Sequence, residues 1–267
     1  MRLHAVLPDE STAADPGRIV ELAVLAEELG YGGVWLPDHL LPPEPFGPVY
    51  GGVYEPLITL AHVAARTSRI RLGTSVLVLP LRDPFTLAKQ VATLDRLSGG
   101  RFVLGVGIGW DRAEFAAVGA DFADRAGRTD EALRLLRHLH AEGGGPFEGE
   151  RFGFGTGVFE PRPGGGRVPV MVGGMSDAAL RRAARQADMW QSVDTTPENF
   201  AVLASRVREL AGRPLEVGAR AGWSESLAAE LPAWDEAGAD HLAVHFEDVP
   251  ETAGRMRELA AAAPPPR

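Results

Sequence analysis

An acid and an imidazole stand side by side at Asp38 and His39, closing the short apolar run GVWLPDH over residues 33–39. A strand fixes the backbone while the loop after it leaves side chains open, so a pair at a strand exit is placed for acid–base work. A neutral imidazole there can donate or accept a proton or hydrogen-bond a ring, with a carboxylate fixing its tautomer. Neighbours on an extended strand point opposite ways, however, so adjacency equally fits a hydrogen-bonded strand cap or an ion pair to a nearby loop.

Three further segments have the composition of ligand-binding backbone. Gly73, Thr74, Ser75 and Val76 permit a bulge that could press against a flat ligand, or form a plain buried strand. The glycine segment GVGIG at 105–109 superficially resembles a dinucleotide loop but lacks the spacing of that fingerprint. In VGGMSDAAL, 172–180, paired glycines end a strand and Ser176 caps a helix. Glycines let backbone approach an oxyanion and N–H groups at a helix start favour negative charge, so a phosphate site and a simple tight turn both remain open. Trp35 and Trp110 could flank a planar ligand or only pack. His62, His138 and His140 fall in predicted helices, and His241 and His245 flank the last predicted strand, with His245 able to face a cavity. No spacing among histidines and acids makes a metal motif, and no Gly-x-Ser-x-Gly elbow is present, so neither a metal centre nor a serine hydrolase is expected.

These segments need elements to position them. Short apolar runs alternate with longer amphipathic stretches, the pattern of strand–helix units around a parallel sheet. Strands are predicted at 3–7, 33–37, 70–80, within 97–110 after its Gly-Gly turn, 168–174, 189–193, 215–219 and 241–246. Helices are predicted between them, with Asp15–Pro16, Asp83–Pro84, Ser176 and Thr196–Pro197 as start signals. Eight units favour a closed (β/α)8 barrel in one domain over 1–267, although the seventh unit is compressed and periodicity alone also admits an open doubly wound sheet. Residues 143–167, rich in glycine and proline, read as an insertion after the fourth unit, either a solvated linker or part of the active site. Residues 262–267 read as a frayed tail.

Composition narrows the class. The 267 residues are 45% hydrophobic, enough for a substantial core, and carry a net charge of −9. That balance argues against a nucleic-acid binder, whose phosphate contacts need basic surface. No apolar run reaches the ~20 residues that span a bilayer, so no membrane association is expected. With no cysteine, disulfides, thiolate catalysis and cysteine-bound metals are excluded. The opening residues show no apolar stretch followed by a small-residue cleavage site, so no secretory signal is expected, and the lack of cysteine is compatible with a cytoplasmic enzyme.

Taken in order, AEELGYGGVWLPDH (26–39), TSRIRLGTSVLVLPLRDPFTLAKQVATLDRLSGGRFVLGVGIGW (67–110) and VPVMVGGMSDAALRRAARQADMW (168–190) closely resemble the bacterial luciferase-like family, with a looser echo in EAGADHLAVHF (236–246). The resemblance implies a TIM-barrel oxidoreductase using FMN or the deazaflavin coenzyme F420, with the F420-dependent members most similar. It implies catalytic roles for His39 and Asp38. It places the cofactor against Thr74, Ser75 and Val76, with a non-proline cis peptide at the bulge, and against Gly107, Ile108, Gly109 and Trp110. Its phosphate falls to Gly173, Gly174, Met175 and Ser176. Hydride transfer between F420 and an organic substrate is the implied reaction, and a homodimer the implied assembly. An FMN-dependent monooxygenase and a non-catalytic flavin- or phosphate-binding barrel are the alternatives, the latter motivated by the shortened C-terminal half. The sugar-phosphate dehydrogenase branch carries a glutamate where this chain has Trp110 and an aromatic residue near Pro43, so that substrate class is not expected. Met189 replaces a glycine frequent before the tryptophan of this segment.

Overall fold

A computed structural model describes residues 1–10, 14–44, 51–247 and 249–263. Its parallel strands are β1 (Arg2–Val6), β2 (Gly33–Leu36), β3 (Arg71–Thr74), β4 (Leu77–Val78), β5 (Phe102–Gly107), β8 (Val170–Gly173), β9 (Met189–Val193), β10 (Glu216–Gly222) and β11 (His241–His245); β6 (Phe147–Glu148) and β7 (Gly153–Phe154) form a separate antiparallel pair. The helices are α1 (Pro16–Glu28), α2 (Pro56–Ala64), α3 (Pro84–Ser98), α4 (Arg112–Ala117), α5 (Arg125–Glu142), α6 (Asp177–Gln186), α7 (Pro197–Ala211), α8 (Leu227–Glu236) and α9 (Thr252–Ala262).

The sheet runs β3-β2-β1-β11-β10-β9-β8-β5-β4, and β3 also pairs with β5, Leu72 with Phe102 and Gly73 with Val103. That last pairing closes the sheet. Since β3 and β4 are two halves of one interrupted strand, the nine segments make an eight-stranded barrel, the (β/α)8 architecture expected. Leu, Ile, Val and Ala on the outer strand faces pack under the helices, while Val6, Trp35, Val103, Met171, Met189 and Ala243 fill the barrel interior.

Helix starts follow the local signals. Asp15 accepts from Gly17 N at 2.9 Å, Asp83 from Thr86 N at 2.8 Å and Ser176 from Ala179 N at 3.2 Å, each satisfying an N–H that the helix cannot. The predicted strand over 70–80 breaks instead at Ser75–Val76, whose peptide is cis, and ends in a short 3-10 turn. The seventh barrel strand, expected to be weak, is a full seven residues in β10, and the next helix begins at Leu227. Residues 143–167 carry the β6–β7 pair and pack outside the barrel. Phe154 meets Phe85 and His138 edge-on, and Arg151 binds Asp124 and Glu131 on and beside α5. Among the described residues, none of this insertion lines the cavity at the barrel mouth. Of the expected frayed tail, residues 264–267 lie outside the described residues, as do 45–48 of the proline-rich segment after His39. Among the described residues no helix is long and apolar enough to cross a membrane.

One tertiary tie at the opposite end of the barrel gives a pH signature. The Glu27 carboxylate, at the end of α1, accepts from the N–H groups of Ser68, Arg69 and Ile70. Burial works against its ionisation, but these hydrogen bonds outweigh it and bring the carboxyl from 4.5 down to about 2. A carboxylate depressed in the folded state stabilises above its unfolded pKa and loses that contribution as pH falls through the folded one. The stability difference between native and Glu27→Gln protein should therefore be full above pH 4.5 and vanish on approaching pH 2. Urea melts across that window check it, and a pH-independent difference would refute the role.

Candidate active site

The C-terminal strand ends converge on a cavity of about 620 Å³. In this architecture that end carries the chemistry, because the strands hold the loops rigidly while leaving them free to vary. Asp38, His39, Ser75, Val76, Ile108, Gly109, Trp110, Gly173 and Gly174 all line it, so most of the residues singled out in the sequence come together.

Asp38 and His39 divide the work differently from the sequence expectation. Asp38 is buried, with Oδ2 accepting from Val78 N at 2.8 Å and Oδ1 paired with Arg82. Burial raises its pKa, partly offset by the Arg82 charge. It thereby ties the β2 exit to β4, across the break at Ser75–Val76. The carboxylate on the imidazole belongs instead to Glu114, whose Oε2 lies 3.1 Å from His39 Nδ1 and whose Oε1 accepts from Leu40 N at 2.7 Å and Leu41 N at 3.1 Å. Burial opposes ionisation of Glu114, but the hydrogen bonds from His39, Leu41 and Leu40 prevail and lower its pKa. An ionised Glu114 only accepts, so Nδ1 carries the proton that faces it, which orients the ring at the cavity wall. Trp110, 54% exposed, stands edge-on to His39 at 6.2 Å between ring centroids.

Glu114 was not legible as a site residue. It lies 75 positions from His39, in the first turn of a six-residue helix capped by Asp111. The Asp-x-x-Glu spacing signals a helix start rather than a partner for a distant histidine.

The glycines around the break serve packing. Val76 projects between β5 and β8, where a Cβ on Gly107 would lie 2.7 Å from its Cγ2 and one on Gly173 2.9 Å from its Cγ1. Gly107 is thus a seat for Val76 and does not line the cavity. Thr74 is fully buried, its hydroxyl donating to Gly105 O at 2.6 Å. Ile108 and Gly109, the latter at φ +74°, do line the mouth.

At the turn after β8, the Gly174 N–H, one of the groups expected to meet an anion, is engaged by Gln191 O at 3.2 Å, and the Ser176 hydroxyl accepts from Ala179 N as the helix cap. Met175 and Ser176 stand outside the cavity lining, beyond Gly173 and Gly174. Trp35 is fully buried in the barrel floor, donating from Nε1 to His4 Nδ1 at 2.9 Å, and so does not flank the mouth. His138 and His140 bond the carbonyls of Gly144 and Ala88, structural roles in keeping with their helices.

A second polar wall comes from β1, β10 and β11. Glu10 Oε2 lies 3.0 Å from His245 Nε2, and Arg220 reaches Glu10 Oε1 at 3.3 Å and Ser75 O at 2.8 Å. Against the cost of burial, His245 and Arg220 hold the Glu10 carboxyl below its usual range. Beside it Asp9 is fully buried, and burial, then the Glu10 charge, push its carboxyl up to about 8. Of this wall, only His245 stood out in the sequence.

A family model described as luciferase-like monooxygenase matches residues 1–262. F420-dependent glucose-6-phosphate dehydrogenase of Kineococcus radiotolerans is 38% identical over 177 residues, covering 65% of this chain and 51% of that protein. The chain therefore spans about half the length of that relative. Among solved structures, an F420-dependent secondary alcohol dehydrogenase in complex with an F420–acetone adduct superposes with a TM-score of 0.85 at 17% identity, covering 100% of this chain and 99% of the other. The oxygenating constituent of 3,6-diketocamphane monooxygenase from Pseudomonas putida, in complex with FMN, gives 0.80 at 14% identity, covering 98% and 97%. At such identities the structural likeness speaks to the fold alone.

Proposed function

The chain belongs to the luciferase-like monooxygenase family, and from that premise we propose that it is an oxidoreductase transferring a hydride between coenzyme F420 and an organic small molecule. The observation that carries this reading is the single cavity into which the Glu114-oriented imidazole of His39 and the Ser75–Val76 break both open. Its volume and its glycine-lined sides at Gly109, Gly173 and Gly174 fit a flat ring entering between strand ends.

Bound coenzyme F420 supplies a deazaflavin ring able to accept or release a hydride, and the protein supplies binding, orientation and electrostatics. In this reading Ser75 and Val76 back the ring. Ile108, Gly109 and Trp110 border it, and its phosphate lies at the turn of Gly173, Gly174, Met175 and Ser176, where the Gly174 N–H stays with Gln191 O and does not donate to it. His39, held by Glu114, moves a proton at Nε2 or positions the ring, with Asp38 bracing the backbone beneath. Glu10, His245 and Arg220 form the wall facing the substrate. A sugar phosphate is not the substrate expected in this reading, because Trp110 and Pro43 stand where the resemblance would put the glutamate and the aromatic residue of the sugar-phosphate dehydrogenase branch. A cytoplasmic homodimer belongs to the same reading.

Parallel calorimetric titration with F420 and FMN tests the cofactor. We expect F420 to bind at least about tenfold more tightly, a difference of ~1.4 kcal/mol. Tight binding of FMN alone would replace the reading with that of an FMN-dependent monooxygenase; no binding of either would leave a barrel without this redox function.

A further inference from the structure

Beneath the Ser75–Val76 break the barrel axis is polar. The Ser75 hydroxyl donates to Gln191 Oε1 at 2.6 Å, and Gln191 Nε2 lies 3.3 Å from His241 Nε2. His241 Nδ1 lies 3.2 Å from Glu216 Oε1, within ion-pair range though off the line of a well-formed hydrogen bond, and Arg71 reaches Glu216 Oε2 at 3.0 Å. Ser75 and Gln191 line the mouth cavity, whereas Glu216 and Arg71 line a separate cleft at the opposite barrel end. The chain of contacts therefore crosses the whole barrel. Its central ring has a built seat: Gly218 sits opposite His241 in register, and any side chain there would run into the imidazole, while His4 stacks on the other side at 4.7 Å.

We propose that Glu216 is a positioning residue for the cofactor site, fixing the His241 tautomer and, through Gln191, making the Ser75 hydroxyl a hydrogen-bond acceptor toward the bound ring. The proposal rests on the functional reading above. The polarity can be followed atom by atom. A carboxylate only accepts, so the proton of a neutral His241 sits on Nδ1 and its lone pair on Nε2. That lone pair takes an N–H of Gln191, which turns Gln191 Oε1 toward Ser75, and the Ser75 O–H is spent on it. The Ser75 N–H already goes to Leu36 O at 2.8 Å and its carbonyl already accepts from Arg220. What Ser75 keeps for a ligand is the lone pairs of Oγ, which suit a donor such as the imide N–H of a flavin-type ring. Burial opposes ionisation of Glu216, but His241 and Arg71 bring its carboxyl down to about 2, so it is an anion throughout the working range.

The test reads tautomer and affinity separately. Nitrogen-15 imidazole spectra of the protein without added cofactor should show His241 protonated at Nδ1. In Glu216→Gln, an amide N–H facing Nδ1 should move that proton to Nε2 and reverse the chain, with F420 or FMN binding about tenfold weaker, the scale of one well-placed hydrogen bond. In a Ser75→Ala background the same change should alter affinity less than about twofold, because its route is gone. Gln191→Met, which severs the chain without touching Glu216, should reproduce the loss and its dependence on Ser75, and serves if Glu216→Gln does not fold. A native His241 protonated at Nε2, an unswitched tautomer in Glu216→Gln, or an equal affinity loss with and without Ser75 would each overturn the proposal. Failure of both cofactors to bind native protein would overturn the functional reading instead, while the tautomer comparison still decides whether Glu216 governs His241.

Discussion

Exchange of His39 for alanine is expected to slow turnover about 10²- to 10⁴-fold, the usual contribution of a positioned acid–base group. The imidazole is held by Glu114 at Nδ1 and lines the cavity, so its loss removes a protonic group from that wall. The fold should survive. Glu114 keeps its bonds from Leu40 N and Leu41 N, and Asp38 keeps Val78 N, so neither buried carboxylate is stranded. The measurement is the absorbance change of F420 on a panel of short alcohols and ketones, paired with thermal melts. Turnover within threefold of native on a substrate that native protein accepts would remove His39 from the mechanism.

The second large effect is on stability. Gly105 faces β3 across the closing seam, and a methyl group there would strike the Thr74 carbonyl, approach Thr74 C at 3.0 Å and Met171 Cε at 2.8 Å. The obstacle is backbone, already bonded through Thr74 Oγ1 to Gly105 O, so it cannot rotate aside as a side chain would. Gly105→Ala should cost toward the upper end of the ~1–3 kcal/mol seen for overpacking, or more, lowering the melting temperature by roughly 6–12 °C. It should also displace the Ser75–Val76 platform and weaken cofactor binding. Gly165→Ala, where a Cβ meets nothing within 4 Å, is the matched control. Equal melting temperatures for the two variants would show that the β3–β5 approach is looser than described.

The same glycine illustrates the limit of reading a chain linearly. GVGIG looked like ligand-binding backbone, yet Gly105 admits a neighbouring strand, Gly107 admits Val76, and only Gly109 reaches the mouth. Likewise Asp38 was legible as an acid beside an imidazole, while its bonds to Val78 N and Arg82 depend on a segment about forty residues away.

By itself the sequence determined what depends on neighbours within a turn or two: the strand–helix alternation, the helix starts at Asp15, Asp83, Ser176 and Thr196, and the arrival of Asp38, His39, Gly173 and Gly174 at strand ends. Side-chain period and unsatisfied helix N–H groups are local, so local residues specify them. Only the closed barrel decided who meets whom. Strand register brought Glu114 to His39, Glu10 to His245 and Arg220, and Ser75 to Gln191, His241 and Glu216, partners separated by dozens to hundreds of positions. A carboxylate's pKa, a histidine's tautomer and a hydroxyl's polarity follow from the groups within a few ångströms of it in space, and those groups became neighbours only when β3 met β5 and the sheet closed.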